Sequence, residues 1–351
     1  MPDNSQHTIK LKLSGKTFTS NKGETVLEAA LRQGVKLPYS CKNGTCGNCK
    51  GRLLSGSVSY PIHPPLALDE KEKADGDILL CQAVADNDLQ ITVREIEAIK
   101  DIPVRMLPAR VSSKELLSPN VAKLKLRLPK TQRMQFLAGQ YIEILLPGGK
   151  RRAFSIASPP HDADELELHI RHVDGGDFTS WVFNELKVKG ILRIEGPLGT
   201  FFIRHGSQRP MIMMGGGTGF APLKSMIEYL LRKQSVRPIH LFWGARNLEE
   251  LYCLDLPEQW ERNFSHIQFT PVLSDPLAED HWQGRTGFVH TAVIEDYPDL
   301  SAHEVYMSGP PIMIDTARHA FPAQGLADDR LFYDSFEFGA DVPFEILAEP
   351  H

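Results

Sequence analysis

Pro38-Tyr-Ser-Cys41-Lys-Asn-Gly-Thr-Cys46-Gly-Asn-Cys49 is the stretch whose reading decides the first third of the chain. Its cysteines have the spacing C-x4-C-x2-C, and a fourth, Cys81, follows after 31 intervening residues. Two irons bridged by sulfides need four thiolates, three of which must converge from one tight loop. Gly44 and Gly47 permit the backbone angles such a loop requires. Small residues at Ser40, Thr45 and Asn48 leave backbone N–H groups free to bond the sulfurs. Cys41, Cys46, Cys49 and Cys81 are therefore read as the ligands of a [2Fe–2S] cluster. A structural zinc site would pair two short arms, and Cys81 has no close cysteine partner. A thioredoxin-type Cys46-x-x-Cys49 would open a helix after a βαβ strand, whereas this pair sits in a Gly-rich loop. The fifth cysteine, Cys253, is read as a buried or partly buried thiol with no role.

Around this loop the pattern is that of a small mixed module. Strands are expected over 7–13 and 16–20, a short helix from Val26, Leu27, Ala30 and Leu31 with Gly34 past its end, and further strands over 57–60 and 89–96. Residues 98–103 read as a linker. From 104 to 205 short alternating runs over 122–128, 140–146, 165–172 and 191–195 are separated by Gly and Pro, with one helix near 179–186; this spacing predicts a β-barrel. From 206 to 351 apolar strands over 211–214, 239–243, 267–273, 305–307 and 331–333 alternate with helical runs, which predicts a parallel doubly wound sheet. The chain's 351 residues are thus divided into three domains, over 1–97, 104–205 and 206–351.

Charge and composition exclude several classes of function. The net charge of −5 argues against a nucleic-acid binder. Residues 1–97 carry 12 Lys and Arg against 12 Asp and Glu, so the excess acidity lies in the rest of the chain. No apolar run spans a bilayer and the first ten residues have no apolar signal core, so no membrane association and a cytoplasmic location are expected. A monomer is the default expectation.

Two Gly-rich turns read as anion sites. Gly175-Gly176 leads into the N-terminus of the helix bearing Thr179 and Ser180, where backbone N–H groups meet a phosphate readily. Gly215-Gly216-Gly217-Thr218-Gly219 joins a strand to a helix, with Pro222 near the first helical turn. After the next strand only Arg246 offers a cation, followed by Glu249 and Glu250. A 2′-phosphate needs clustered cations, so NADH is expected in preference to NADPH.

The loop at 38–51 resembles that of plant-type ferredoxins, especially those fused to flavin reductases. Arg152-Ala-Phe-Ser155 is similar to the R-x-Y-S motif of the ferredoxin reductase superfamily. The resemblance implies that Arg152 pairs with flavin phosphate, Phe154 packs on the flavin in place of the usual Tyr, and Ser155 lies near the reactive N5. The segment from His169 to Ser180 resembles the family's pyrophosphate-holding segment, which makes His169, Gly175, Gly176, Thr179 and Ser180 cofactor-binding candidates; His169 and His172 are not expected to be catalysts. The run Gly215–Pro222 resembles G-G-G-T-G-x-A-P. Ser308-Gly309-Pro310-Pro311 resembles C-G-P-P, with Ser308 where the family has the Cys beside the nicotinamide. Tyr333-Asp-Ser-Phe336-Glu resembles the C-terminal aromatic segment, with Phe336 beside the flavin.

Together these imply a β-grasp [2Fe–2S] ferredoxin, then an FAD-binding antiparallel β-barrel, then an α/β nucleotide-binding domain. They also imply an NADH-dependent oxidoreductase passing electrons from NADH through FAD and the cluster to an external acceptor. The chain resembles the reductase components of bacterial oxygenases. Its stretches 169–173, 193–199 and 241–246 look closest to the CDP-6-deoxy-glucoseen reductases. The acceptor is accordingly an oxygenase or dehydrase component. A free-flavin or quinone reductase and a redox-sensing module without turnover are the alternatives.

Overall fold

The computed structural model describes residues 6–162 and 164–336. The chain divides into two compact units, Met1–Pro103 and Val104–His351. Glu337 of the quoted C-terminal segment lies outside the described residues.

In the first unit a five-stranded sheet runs in the order Thr17–Ser20, His7–Leu11, Leu89–Thr92, Lys50–Ser55, Asp77–Leu79. His7–Leu11 and Leu89–Thr92 are parallel and the other neighbours antiparallel. The helix Val26–Arg32 starts at a capping box: Thr25 Oγ1 accepts from the Glu28 N–H at 3.2 Å, and the Glu28 carboxylate accepts from the Thr25 N–H at 3.0 Å. Val26, Leu27, Ala29 and Ala30 are buried in one core with Ile9, Leu11, Phe18, Leu79 and Ile91 of the sheet. The amides of Val26 and Leu27, which have no partner within their own helix, donate to the carbonyls of Ala83 and Leu80 at 2.8 Å each. The start of the helix thereby anchors the segment carrying Cys81. The stretch read as a linker is partly structured, since it overlaps a 3-10 turn at Glu97–Ile99 in which Ile99 is buried.

The second unit begins with a six-stranded antiparallel sheet in the order Arg151–Ser155, Tyr141–Leu145, Ile191–Leu198, Arg105–Ser118, Val121–Arg127, Glu165–Arg171. Its edges meet. Ile156, one residue beyond the first strand, bridges Leu168 of the last, and the Ala157 N–H donates to the Glu167 carbonyl at 2.8 Å. This closure makes a barrel. Leu124, Leu126, Ile142, Ile144, Leu166, Leu168 and Ile194 fill it, and the helix Asp177–Asn184 adds Phe178 and Val182 to the same core.

The remaining sheet is parallel throughout, in the order Arg285–Thr286, Ile267–Leu273, Ile239–Ala245, Met211–Gly216, Glu304–Gly309, Leu331–Ser335. Phe220–Arg232 and Asp255–Asn263 contribute buried residues to the core of one face, Val289–Asp296 and Pro311–Ala320 to that of the other. Strand order reverses beside Met211–Gly216, so a ligand crevice is expected at the carboxyl ends of this strand and Glu304–Gly309.

Candidate functional site

The cluster loop owes its shape to three left-handed residues, Lys42 (φ 66°), Gly44 (φ 88°) and Gly47 (φ 80°). Lys42 carries a side chain, so its conformation has to be held from outside. Buried Gln82 does so, donating from Nε2 to the Lys42 carbonyl at 2.7 Å. A Cβ on Gly44 would come within 2.9 Å of Gln82 Cγ, so glycine is needed there twice over. The loop also donates and accepts locally: the Thr45 amide and hydroxyl both bond Asn43 Oδ1, at 3.1 and 2.8 Å.

Cys46, Cys49 and Cys81 are buried and Cys41 is half-buried. Cys41 is within hydrogen-bonding reach of Cys46 and Cys81, and Cys81 of Cys49. Hydrogen bonds from Cys46 and Cys81 draw the Cys41 thiol far below its ordinary range, while Cys41 and Cys49 together with burial drive Cys81 far above it. Converging thiol donors of this kind suit a cationic group bonded to all of them. Among the described residues no group of three or more His, Cys, Asp and Glu side chains is arranged for a single metal ion. The donor set fits a two-iron cluster in its chemistry and number. Cys253 is half-buried, with its thiol pushed up to about 11 by burial.

In the barrel, the strand Arg151–Ser155 carries Arg152, Phe154 and Ser155, and its last residue reaches the nucleotide sheet. Ser155 is buried, and its Oγ donates to Oδ2 of Asp334 at 3.1 Å. Asp334 stands opposite Ser308 in the register of the last two parallel strands. Ser155, Asp334 and Ser308 therefore meet at one place, although they come from three separate parts of the chain. Phe154 packs against the barrel core, its ring 5.5 Å from that of Phe178. Phe336 is held beside the same strand end, its N–H donating to the Gly309 carbonyl at 2.9 Å.

The Gly175-Gly176 turn forms as expected, with Gly175 at φ 75° and Gly176 capping the helix Asp177–Asn184. Thr179 has a different task from the expected one. Its Oγ1 accepts from the Val173 N–H at 3.1 Å and lies 3.2 and 3.3 Å from the Val173 and Gly176 carbonyls, so the hydroxyl closes the turn. Ser180 Oγ lies 3.4 Å from His172 Nε2. His169 departs further from the expectation of a cofactor contact. Its ring is fully buried between Glu167 Oε1 and the Tyr252 hydroxyl, at 3.0 Å from each, because the strand turns this position toward the nucleotide domain. Burial keeps it neutral.

The crevice at the switch point is a cleft lined by Gly216, Gly217, Arg246, Glu250 and Pro310 and, from the barrel, Arg171. Gly215 pairs with Ser308 across the central strands. A Cβ on Gly219 would overlap the Ser308 carbonyl, one on Gly216 would meet Met313 Sδ at 2.6 Å, and one on Gly217 would meet the Arg171 guanidinium at 3.1 Å. The turn is thus packed against the strand end on one side and open to a cation on the other. Thr218 lies within it, in the 3-10 turn Gly217–Gly219. Pro222 is buried as the third residue of the helix, so it shapes the helix start and does not face the cleft. Ser308 is fully buried and its Oγ has no hydrogen-bond partner in the protein, an orphaned polar atom at the spot where a ligand group would supply one.

Charge in the cleft is organised by Glu250. Its carboxylate meets Arg171 at 2.7 Å and Arg246 at 2.8 Å and is itself 5% exposed. Burial pushes Glu250 up, but the two guanidinium groups outweigh it and hold the carboxyl below its ordinary value. Reading the sequence missed Arg171, Asp334 and the pairing role of Glu250. Arg171 and Asp334 carried no local signal, since each acts on a partner from a distant segment.

Comparison with known proteins agrees with this arrangement. Residues 9–86 match the 2Fe-2S iron-sulfur cluster binding domain family, 108–203 the oxidoreductase FAD-binding domain and 213–319 the oxidoreductase NAD-binding domain. The chain is 42% identical over 328 residues to the CDP-6-deoxy-L-threo-D-glycero-4-hexulose-3-dehydrase reductase of Yersinia pestis, covering 93% of this chain and 98% of that one. It is 36% identical to the reductase component DmpP of phenol 2-monooxygenase from Pseudomonas sp. (strain CF600), covering 95% and 96%. Among solved structures, the Amycolatopsis cytochrome P450 reductase GcoB superposes with a TM-score of 0.76 at 32% identity, over 94% of this chain and 98% of that one.

Proposed function

The chain belongs to the iron–sulfur flavoprotein reductases that unite a 2Fe-2S cluster binding domain, an FAD-binding domain and an NAD-binding domain, and from that membership we propose that it oxidises NADH and delivers the electrons singly to a separate acceptor protein. The observation that carries this reading is the meeting of Ser155, Asp334 and Ser308 where the barrel's flavin motif joins the carboxyl end of the parallel sheet. Bound FAD can accept a hydride's two electrons together and release them one at a time, which is the conversion a two-iron cluster requires.

The protein's residues bind and orient. Cys41, Cys46, Cys49 and Cys81 hold the cluster, with Gln82 bracing the loop. Arg152, Phe154 and Ser155, with the Gly175-Gly176 turn and Ser180 at the start of the helix behind it, hold the flavin. The turn Gly215–Gly219, with Gly309, Pro310, Arg171 and Arg246, holds the dinucleotide, while Ser308 and Phe336 border the reacting rings. Glu250 occupies both arginines that a 2′-phosphate would need, which favours NADH. The three domains are taken as 1–97, 104–205 and 206–351.

For the acceptor, the identity of 42% to the Yersinia reductase favours a CDP-sugar dehydrase over an oxygenase. Among the described residues no helix is long and apolar enough to cross a membrane. A monomer in the cytoplasm, where thiols stay reduced, agrees with this reading.

The test compares native and Cys46→Ser protein for NADH-dependent reduction of ferricyanide and of cytochrome c. Ferricyanide reduction should survive the substitution and cytochrome c reduction collapse; survival of both would take the cluster off the path. NADH-driven turnover with purified CDP-sugar dehydrase, against an oxygenase component, then decides the acceptor.

A further inference from the structure

A lysine is seldom withdrawn from water without a partner. Lys224 is 9% exposed, and it lies five residues past Gly219, in the helix Phe220–Arg232 that follows the Gly-rich turn. Three oxygens meet its three N–H donors. Glu228 Oε2, one helical turn on, is at 2.9 Å; Glu167 Oε1, on a barrel strand, is at 3.2 Å; the carbonyl of Ala157, also in the barrel, is at 3.3 Å. The next residue repeats the grip, for fully buried Ser225 donates from Oγ to the Ser158 carbonyl at 2.8 Å.

Ala157 and Ser158 are the second and third residues after Ser155. They are tied in turn to Glu167, whose N–H donates to Ser158 Oγ at 3.0 Å and whose carbonyl accepts from the Ala157 N–H at 2.8 Å. The helix behind the dinucleotide turn is therefore fastened, by consecutive side chains, to the strand end that carries the flavin-side serine.

An apolar side chain would hold two modules together at least as well, since burying an ion pair gains little stability over hydrophobic packing. What an ammonium adds is direction, because three fixed oxygens define where Nζ can sit. Direction matters at this place. A misplacement of about 1 Å between reacting groups costs roughly 10²-fold in rate, even when its origin is remote.

We propose that Lys224 is a positioning residue for hydride transfer: it fixes the Gly-rich turn, and so a dihydronicotinamide bound there, relative to the strand end beyond Ser155. The inference rests on the NADH-oxidising reading given above. Lys224 touches no reacting atom; it acts through Ala157 and Glu167 on one side and the helix start on the other.

The test uses the full-length holoprotein, native and Lys224→Met, matched for flavin content and mixed anaerobically with NADH in a stopped-flow spectrometer. The substitution should lower the limiting rate of flavin reduction by about tenfold or more while leaving the NADH concentration for half-saturation within about twofold. The long-wavelength charge-transfer absorbance between nicotinamide and flavin, which reports ring stacking independently of turnover, should weaken in parallel. Lys224→Arg should restore most of the rate. Ser225→Ala, which removes only the neighbouring hydrogen bond, should lower it by about threefold and serves if the methionine variant does not fold.

An unchanged limiting rate and absorbance, with only a lower melting temperature, would overturn the proposal and leave Lys224 a purely structural residue. So would a variant whose rate falls only through weaker NADH binding. Native protein whose flavin NADH fails to reduce would overturn the proposed function itself, and this proposal with it.

Discussion

The hydroxyl of Ser155 donates to the carboxylate of Asp334 at 3.1 Å, across 179 residues of sequence, with both side chains buried. A carboxylate accepts and cannot donate, so Asp334 consumes the serine's only proton and leaves the Oγ lone pairs turned toward the site. Asp334→Asn reverses this polarity, because the amide can donate to the serine and release its O–H outward. The limiting rate of flavin reduction by NADH should change by about tenfold or more in Asp334→Asn, with a smaller change in NADH affinity. Rapid kinetics of both variants, Asp334→Asn and Ser155→Ala, check this. If the pair acts as a unit, the double variant should be no slower than the worse single one.

Coenzyme choice should depend on Glu250. In the native chain its buried carboxylate neutralises Arg171 and Arg246 together. Glu250→Gln keeps the shape and removes the negative charge that Arg171 and Arg246 share, leaving the cleft net positive toward a 2′-phosphate. A charge-assisted hydrogen bond is worth about 1.5–3 kcal/mol, so the ratio of kcat/KM for NADPH over NADH should rise by about tenfold or more. Because the measurement is a ratio on the same protein, loss of stability in the variant does not disturb it. An unchanged ratio would show that the adenosine ribose lies elsewhere.

How much of this was legible in the sequence follows from how local each feature is. The cluster loop and both Gly-rich turns are set by spacing over a dozen residues, and so is the switch from two-residue to helical periodicity near 206. The strand Lys50–Ser55 was missed because it begins one residue after a ligand cysteine and carries no alternation. Arg105–Ser118 was missed because Pro108 and bulges at Val111/Ser113 and Leu116/Ser118 break its two-residue period. Asp334, Arg171 and Lys224 were illegible for a different reason. Each acts on a partner from a distant segment, and only tertiary packing says which partner that is. His169 shows the converse: a histidine inside a family-like motif was a natural contact for a cofactor, but strand register turned it toward Glu167 and Tyr252.

Ser308 makes a paired expectation about stability and rate. Its buried Oγ has no partner in the protein, and an unsatisfied buried hydroxyl costs about 1–3 kcal/mol. Ser308→Cys replaces it with a weaker, more polarizable donor of similar shape. The cofactor-free protein should therefore unfold at higher temperature in Ser308→Cys, and flavin reduction should be faster than in the native chain. Calorimetry and stopped-flow absorbance test the two halves separately. Faster reduction in the native protein would show that serine is the better neighbour for this site.

Acid should loosen the contact between barrel and nucleotide domain through Glu167. Burial pushes this carboxyl up, but the hydrogen bond to His169 and the charge of Lys224 prevail and hold it at about 2, against an ordinary 4.5. Glu228, across Lys224, shifts the other way because burial prevails there, and His169 is held neutral by burial. Tyr252 faces His169, and Lys123 and Asp162 lie at the margin of the group. The sign follows from linkage. A carboxyl depressed on folding adds stability that is complete above its unfolded value and lost as pH falls from about 4.5 through about 2. For a side chain 12% exposed the full contribution is on the order of 3 kcal/mol. His169 adds to the same trend, since burial lowers its affinity for a proton and protonation below about 6.5 favours the unfolded chain. Denaturant unfolding of the full chain should thus show stability falling from pH 6.5 downward and most steeply below pH 4.5. Glu167→Gln should start lower at pH 7 and lose less on acidification, because the group that titrates is gone. Parallel stability–pH curves for the two proteins would place the acid sensitivity in other carboxylates and remove Glu167 as the anchor of this contact.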